Sequence, residues 1–212
     1  MKEFIKCQVL KIIHLWSRLY SYGTSLWIQQ KLNSLYTMWI CNFLGEVGKN
    51  TCFHYPVRLE GQGSQRIHIG NRTCIHAYSI LGCWEYYGDD ERYEPEIIIG
   101  DDCSIGEYCH ISAINKITIG HGLLTGRFVY IGDNAHGGLS WEEADIPPFK
   151  RHLTTKGDIK IGNNVWIADR VTILGDVTIG DNVIIGAGSI VTHDLPNNCM
   201  AAGSPAKIIK KL

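Results

Sequence analysis

The chain has 212 residues, 45% of them hydrophobic, and a formal net charge of −1. That length suits one sizeable domain, and the near-neutral charge gives no sign of a nucleic-acid partner. The eight cysteines (Cys7, Cys41, Cys52, Cys74, Cys83, Cys103, Cys109 and Cys199) form no C-x-x-C pair and show no zinc-like spacing with histidine, so they read as reduced thiols of a cytoplasmic protein that holds no metal.

Residues 1–45 carry apolar residues at helical spacing, among them Val9, Ile12, Ile13, Trp16 and Leu19, then Leu26, Trp27, Leu35 and Trp39. Gly23 divides the stretch into two helices. Two readings stand: a helical cap over the end of the domain or a subunit contact, and an amphipathic helix in peripheral contact with the inner face of a membrane through residues 1–40. Lys2, Lys6, Lys11 and Arg18 permit the second. No apolar run is long enough to span a bilayer, and no signal peptide is evident.

From about residue 46 to 196 the pattern changes. In the clearest stretch Ile161, Ile167, Ile173, Ile179, Ile185 and Val191 recur every six residues, often followed by a small residue such as Gly162, Ala168, Gly180 or Gly186. Six matches neither the helical nor the strand period, but it matches a short strand and a corner repeated along a parallel β-helix, three units to a coil of about 18 residues. β-Branched residues suit the stacked interior, while Gly, Asn and Asp suit the corners. Two excursions interrupt the repeat. Residues 82–95 are aromatic and acidic, and Trp84 and Tyr86 are candidates to stack on an acceptor, with a solvated turn or a subunit contact as the alternative. Residues 133–158 begin Asp133-Asn134-Ala135-His136-Gly137-Gly138 and contain Trp141, a third aromatic candidate. Long irregular connections tend to carry function. A lysine-bearing tail, 197–212, closes the chain.

The runs Val165-Trp166-Ile167-Ala168, Ile185-Gly186-Ala187-Gly188-Ser189 and Ala202-Gly203-Ser204-Pro205-Ala206-Lys207 resemble those of the hexapeptide-repeat acyltransferases. The resemblance covers about residues 47–212. It implies an all-β, left-handed parallel β-helix with an N-terminal helical segment and a short C-terminal tail. It also implies a homotrimer, acetyl-CoA as co-substrate and no metal. The segment Asp133-x-x-His136-Gly137 resembles the histidine-bearing turn of sugar and glycan O-acetyltransferases, and Ile146-Pro147-Pro148-x-Lys150-Arg151 resembles the capsule and lipopolysaccharide branch. His136 is therefore the expected general base for direct acetyl transfer to a hydroxyl. The other histidines, His110 among them, read as surface or structural.

The same resemblance places the pantetheine arm along Gly126, Trp166, Ala168, Asp169, Ala187, Thr192 and His193, with Lys207 and Lys210 at the phosphates. Gly126 is a candidate backbone donor to the oxyanion. In one branch an asparagine helps to hold substrate; Gly106 stands at that place here, and Asn115 is a substitute or a corner residue. The alternatives are a catalytically inactive β-helix scaffold or binding module and a zinc hydratase built on three histidines. The second is disfavoured because no histidine lies five residues from His136.

Overall fold

The structure, a computed structural model, describes residues 1–88, 91–138 and 140–212. Asp89 and Asp90 of the first excursion and Leu139 of the second lie outside the described residues. The chain winds as a left-handed parallel β-helix with three faces. The first face stacks Ile67–Ile69, Glu96–Ile99, Lys116–Ile119, Ile159–Ile161 and Val177–Ile179. The second stacks strands from Cys52–Phe53 through Trp166–Ile167 to Cys199–Gly203, and the third runs from Arg58–Glu60 through Tyr130–Gly132 to Ile190–Val191.

The register shows how a six-residue pattern survives two long insertions. Ile117 pairs with Ile159 across the second excursion just as Ile159 pairs with Val177 across an uninterrupted turn. Likewise Ile67 pairs with Ile97 across the first excursion. Both excursions leave from and return to the corner between the third and first faces, so the stacking of the coil is undisturbed. Ile97, Ile117, Ile159, Ile167, Ile173 and Ile185 are wholly buried. Each such side chain contributes about 1.5–3 kcal/mol over an exposed one.

The corner between the second and third faces places Tyr78, Tyr108, Phe128 and Arg170 in the left-handed region, with φ of 63°, 59°, 58° and 59°. That conformation costs a side-chain-bearing residue about 1–2 kcal/mol. Stacking offsets it: the rings of Tyr78 and Tyr108 lie 4.8 Å apart, those of Tyr108 and Phe128 4.9 Å, and the Arg170 guanidinium sits 5.7 Å from Phe128.

Two helices precede the coil. α1 spans Lys2–Leu19 and α2 Tyr22–Ile40. The Ser21 hydroxyl caps α2 by accepting from Thr24 N. α2 covers the first turn of the coil: Tyr36 Oη donates to Val57 O at 2.7 Å, and Thr37 Oγ1 and Asn33 Oδ1 accept from Phe53 N and Tyr55 N at 2.9 and 3.1 Å. α1 buries no residue. At the other end the parallel ladder runs past Leu195-Pro196, where the repeat fades in the sequence: Ile184 and Ile185 pair with Met200 and Ala201. Ala206–Lys211 then folds back antiparallel on Cys199–Gly203. Among the described residues, no helix is long and apolar enough to cross a membrane.

Candidate active site

The two excursions are tied to each other over the outer side of the third face. Tyr87 Oη donates to Phe149 O at 2.9 Å, Leu153 N donates to Tyr93 Oη at 3.0 Å, and His152 Nδ1 lies 2.7 Å from Glu91 Oε1. Asn134–His136 pairs antiparallel with Leu153–Thr155, which gives the second excursion a rigid base. Gly137 follows with φ of 71°, and a Cβ there would meet Arg151 and Glu143, so the tight turn beside His136 requires glycine.

The result is a pocket of about 200 Å³ lined by Trp84, Tyr87, His110, Ser112, Tyr130, Asn134, His136 and Leu153. The His136 ring meets Tyr87 edge to face at 5.1 Å, and Trp84 meets Tyr87 at 6.4 Å. The floor comes from the third face, where His110 and Tyr130 are neighbours on adjacent turns. Asn134 Nδ2 donates to Ser112 O at 2.9 Å and to Ser112 Oγ at 3.1 Å. Below it, the buried Asp133 carboxylate accepts from Ile114 N and Asn115 N at 2.9 and 3.0 Å. Burial pushes its carboxyl above the usual carboxylate range despite those bonds.

His136 and Trp84 are thus brought together. Three acceptor candidates are not. Tyr86 points the opposite way from Tyr87, as alternate strand residues do, and lies under the Arg92 guanidinium. Trp141 is 93% exposed. Asn115 is a corner residue whose Nδ2 donates to Asp158 Oδ1 at 2.6 Å. Tyr87, His110, Ser112, Tyr130 and Asn134 carry no motif of their own. Their signal is register, because Ile80, His110, Tyr130 and Thr172 occupy one row across the third face.

The expected cofactor residues do not gather in one place: they fall on two corners, on the second face and in a C-terminal cleft. Gly126, Ala168 and Ala187 lie on the corner between the second and third faces, where Gly126 and Asp169 line a shallow groove with His76, Glu107 and Arg127. Asp169 Oδ1 is engaged by Arg127 N at 2.8 Å. Lys207 pairs with Ala202 at the end of this row. Trp166 stands half-exposed on the second face, and Lys210 lines a separate cleft with Asn182, Asn198 and Leu212. Thr192 and His193 fall on the corner from which His136 departs, in a depression with Lys156 and Asp176. One expectation is corrected outright. Gly126 N donates to Ile167 O at 2.7 Å within the coil ladder, so that N–H is not free to meet an oxyanion.

Fold and pocket together define a coiled-strand scaffold with an imidazole in a polar and aromatic cleft. Residues 158–193 match the family described as bacterial transferase hexapeptide (six repeats). The Escherichia coli (strain K12) protein named "Putative lipopolysaccharide biosynthesis O-acetyl transferase WbbJ" is 38% identical over 119 residues, 54% of this chain and 60% of its own. The Lysinibacillus sphaericus protein named "Probable macrolide acetyltransferase" is 36% identical over 132 residues, 59% of this chain and 67% of its own. The structure titled galactoside acetyltransferase in complex with coenzyme A superposes with a TM-score of 0.54 at 29% identity, covering 81% of this chain and 67% of that one. The chain belongs to the hexapeptide-repeat transferase family.

Proposed function

We propose that the protein is an acetyl-CoA-dependent O-acetyltransferase acting on a sugar or glycan precursor. The observation that carries this is His136 set in a cleft between Trp84, Tyr87 and Tyr130. Aromatic faces beside small polar groups suit a polyhydroxylated ring, and the names of the relatives point to acetyl transfer. In this reading the acceptor hydroxyl attacks the thioester carbonyl carbon and His136 takes its proton. Collapse of the tetrahedral intermediate breaks the carbon–sulfur bond, and the imidazolium returns the proton to the departing thiolate. Positioning of both substrates supplies much of the remaining acceleration. His110 Nε2 is buried without a hydrogen-bond partner among the described residues, a group that an acceptor hydroxyl would satisfy.

Within one chain, His136 lies on a different corner of the coil from Gly126, Ala168 and Ala187. A homotrimer, in which a neighbour's corner faces His136, completes the site. We also place α1 on an anionic lipid surface. Ile5, Val9, Ile12, Trp16 and Leu19 recur at helical spacing with none buried, and Lys2, Lys6, Lys11 and Arg18 accompany them.

The test has two parts. Calorimetry should detect acetyl-CoA binding, and His136→Ala should retain that binding while turnover falls about 10²- to 10⁴-fold. Near wild-type turnover in the variant would remove His136 from the mechanism; no binding by the folded protein would favour a scaffold.

A further inference from the structure

Two Cys-x-His tripeptides stand on successive turns of the coil, Cys52-Phe53-His54 and Cys74-Ile75-His76. Cys52 pairs in register with Cys74. Phe53 and Ile75 fill the core, so the flanking thiols and imidazoles project from the outer side of the second face. Along the same two rows, later turns carry Ser104, Leu124, Trp166 and Ile184 at the thiol position. They carry Gly106, Gly126, Ala168 and Gly186 at the imidazole position. Small residues there have a steric cause: a Cβ on Gly106 would come within 2.1 Å of Gly126 O. The first two turns depart from the rule, and both do so with an imidazole two residues after a thiol.

Three of the four side chains converge. Cys52 Sγ lies 2.6 Å from Cys74 Sγ, and Cys74 Sγ lies 3.6 Å from His54 Nε2. The ligand atoms of Cys52, His54 and Cys74 all fall within 4.8 Å of one another. The rings of His54 and His76 meet edge to face at 4.7 Å, and His76 Nε2 is 3.2 Å from Ser104 Oγ. All four residues are half-buried.

We propose that Cys52, His54 and Cys74 bind zinc or a like thiophilic divalent cation; His76, whose Nε2 meets Ser104 Oγ, would have to turn from that partner to become a fourth ligand. Two sulfurs and one or two imidazoles are a donor set that tetrahedral zinc accepts. A disulfide would use the sulfurs and leave the repeated imidazoles without a role. On loading, both thiols lose their protons to solvent, and the sulfurs move apart to the roughly 3.7 Å that tetrahedral zinc–thiolate bonds require. The ion would cross-link the first two turns, the end of the coil that α2 covers.

The three ligands lie apart from the pocket of His136, although His76 also lines the groove of Gly126 and Asp169. The test uses the full chain, reduced and purified, with zinc analysis and Co(II) as a spectroscopic probe. The expected result is one ion per chain, a thiolate-to-cobalt charge-transfer band and tetrahedral visible bands. Cys52→Ser and Cys74→Ser should each weaken binding at least about tenfold, and His54→Gln, which leaves the core untouched, should weaken it while the far-ultraviolet dichroism stays the same. His121→Gln, on another corner, should change nothing. Failure of the reduced protein to retain metal, cobalt uptake without the thiolate band, or a Cys52–Cys74 disulfide in the isolated protein with no metal uptake after reduction would each overturn the proposal.

Discussion

His136 and His110 differ in what surrounds each imidazole, and the difference suits them to different tasks. His136 lies on an exposed excursion strand against the edge of Tyr87. His110 sits on the floor of the pocket, where burial, aided by Arg58 and opposed by Glu60, holds its pKa below the ordinary value. A depressed imidazole contributes stability that is present above the unfolded value of about 6.5 and is lost as pH falls toward the folded one. Thermal melts between pH 7.5 and 5 should therefore show a steeper acid loss for the wild type than for His110→Asn. Identical slopes would mean that His110 charges without cost.

At the scale of elements, the excursions and helices behave differently. The excursions are bound to the coil and to each other through Tyr87, Tyr93 and His152. α2 is bound through Asn33, Tyr36 and Thr37. α1 buries nothing, so its helical conformation owes little to packing on the coil. Removing residues 1–20 should leave the β-helix dichroism unchanged and abolish co-sedimentation with phosphatidylglycerol vesicles. Full-length protein should sediment with those vesicles, less so at high salt, because the Lys2, Lys6, Lys11 and Arg18 contribution is screened. Equal sedimentation of the truncated protein would place the contact elsewhere.

At the scale of the whole molecule, the separation of His136 from the corner that carries Gly126, Ala168 and Ala187 predicts complementation. His136→Ala and Ala187→Trp should each be nearly inactive alone. Co-refolded at equal amounts, they should regain activity at about a quarter of the sites, those formed by an intact His136 and an intact neighbouring corner. Light scattering should report a trimer throughout. No recovery in mixed trimers would place both parts of the site within one chain.

The parallel β-helix and its inward Ile and Val positions were legible in the residues alone. The six-residue period is a local, repeated constraint: each strand needs one buried β-branched side chain, and each corner needs a residue that tolerates the bend. His136 was legible as a candidate because its turn carries a motif. What the sequence could not show was anything that depends on which turns stack. Tyr87, rather than Tyr86 or Trp141, enters the pocket because strand alternation and the Phe149 hydrogen bond orient it. Gly126 loses its expected role because its N–H joins the ladder to Ile167. His110 and Tyr130, twenty positions apart, become neighbours through one parallel pairing. Cys52 and Cys74 meet the same way, although no spacing rule for consecutive ligands would couple them. A repeat determines its own local conformation; which outward-facing side chains become neighbours depends on register across turns, and that is set only when the coil closes.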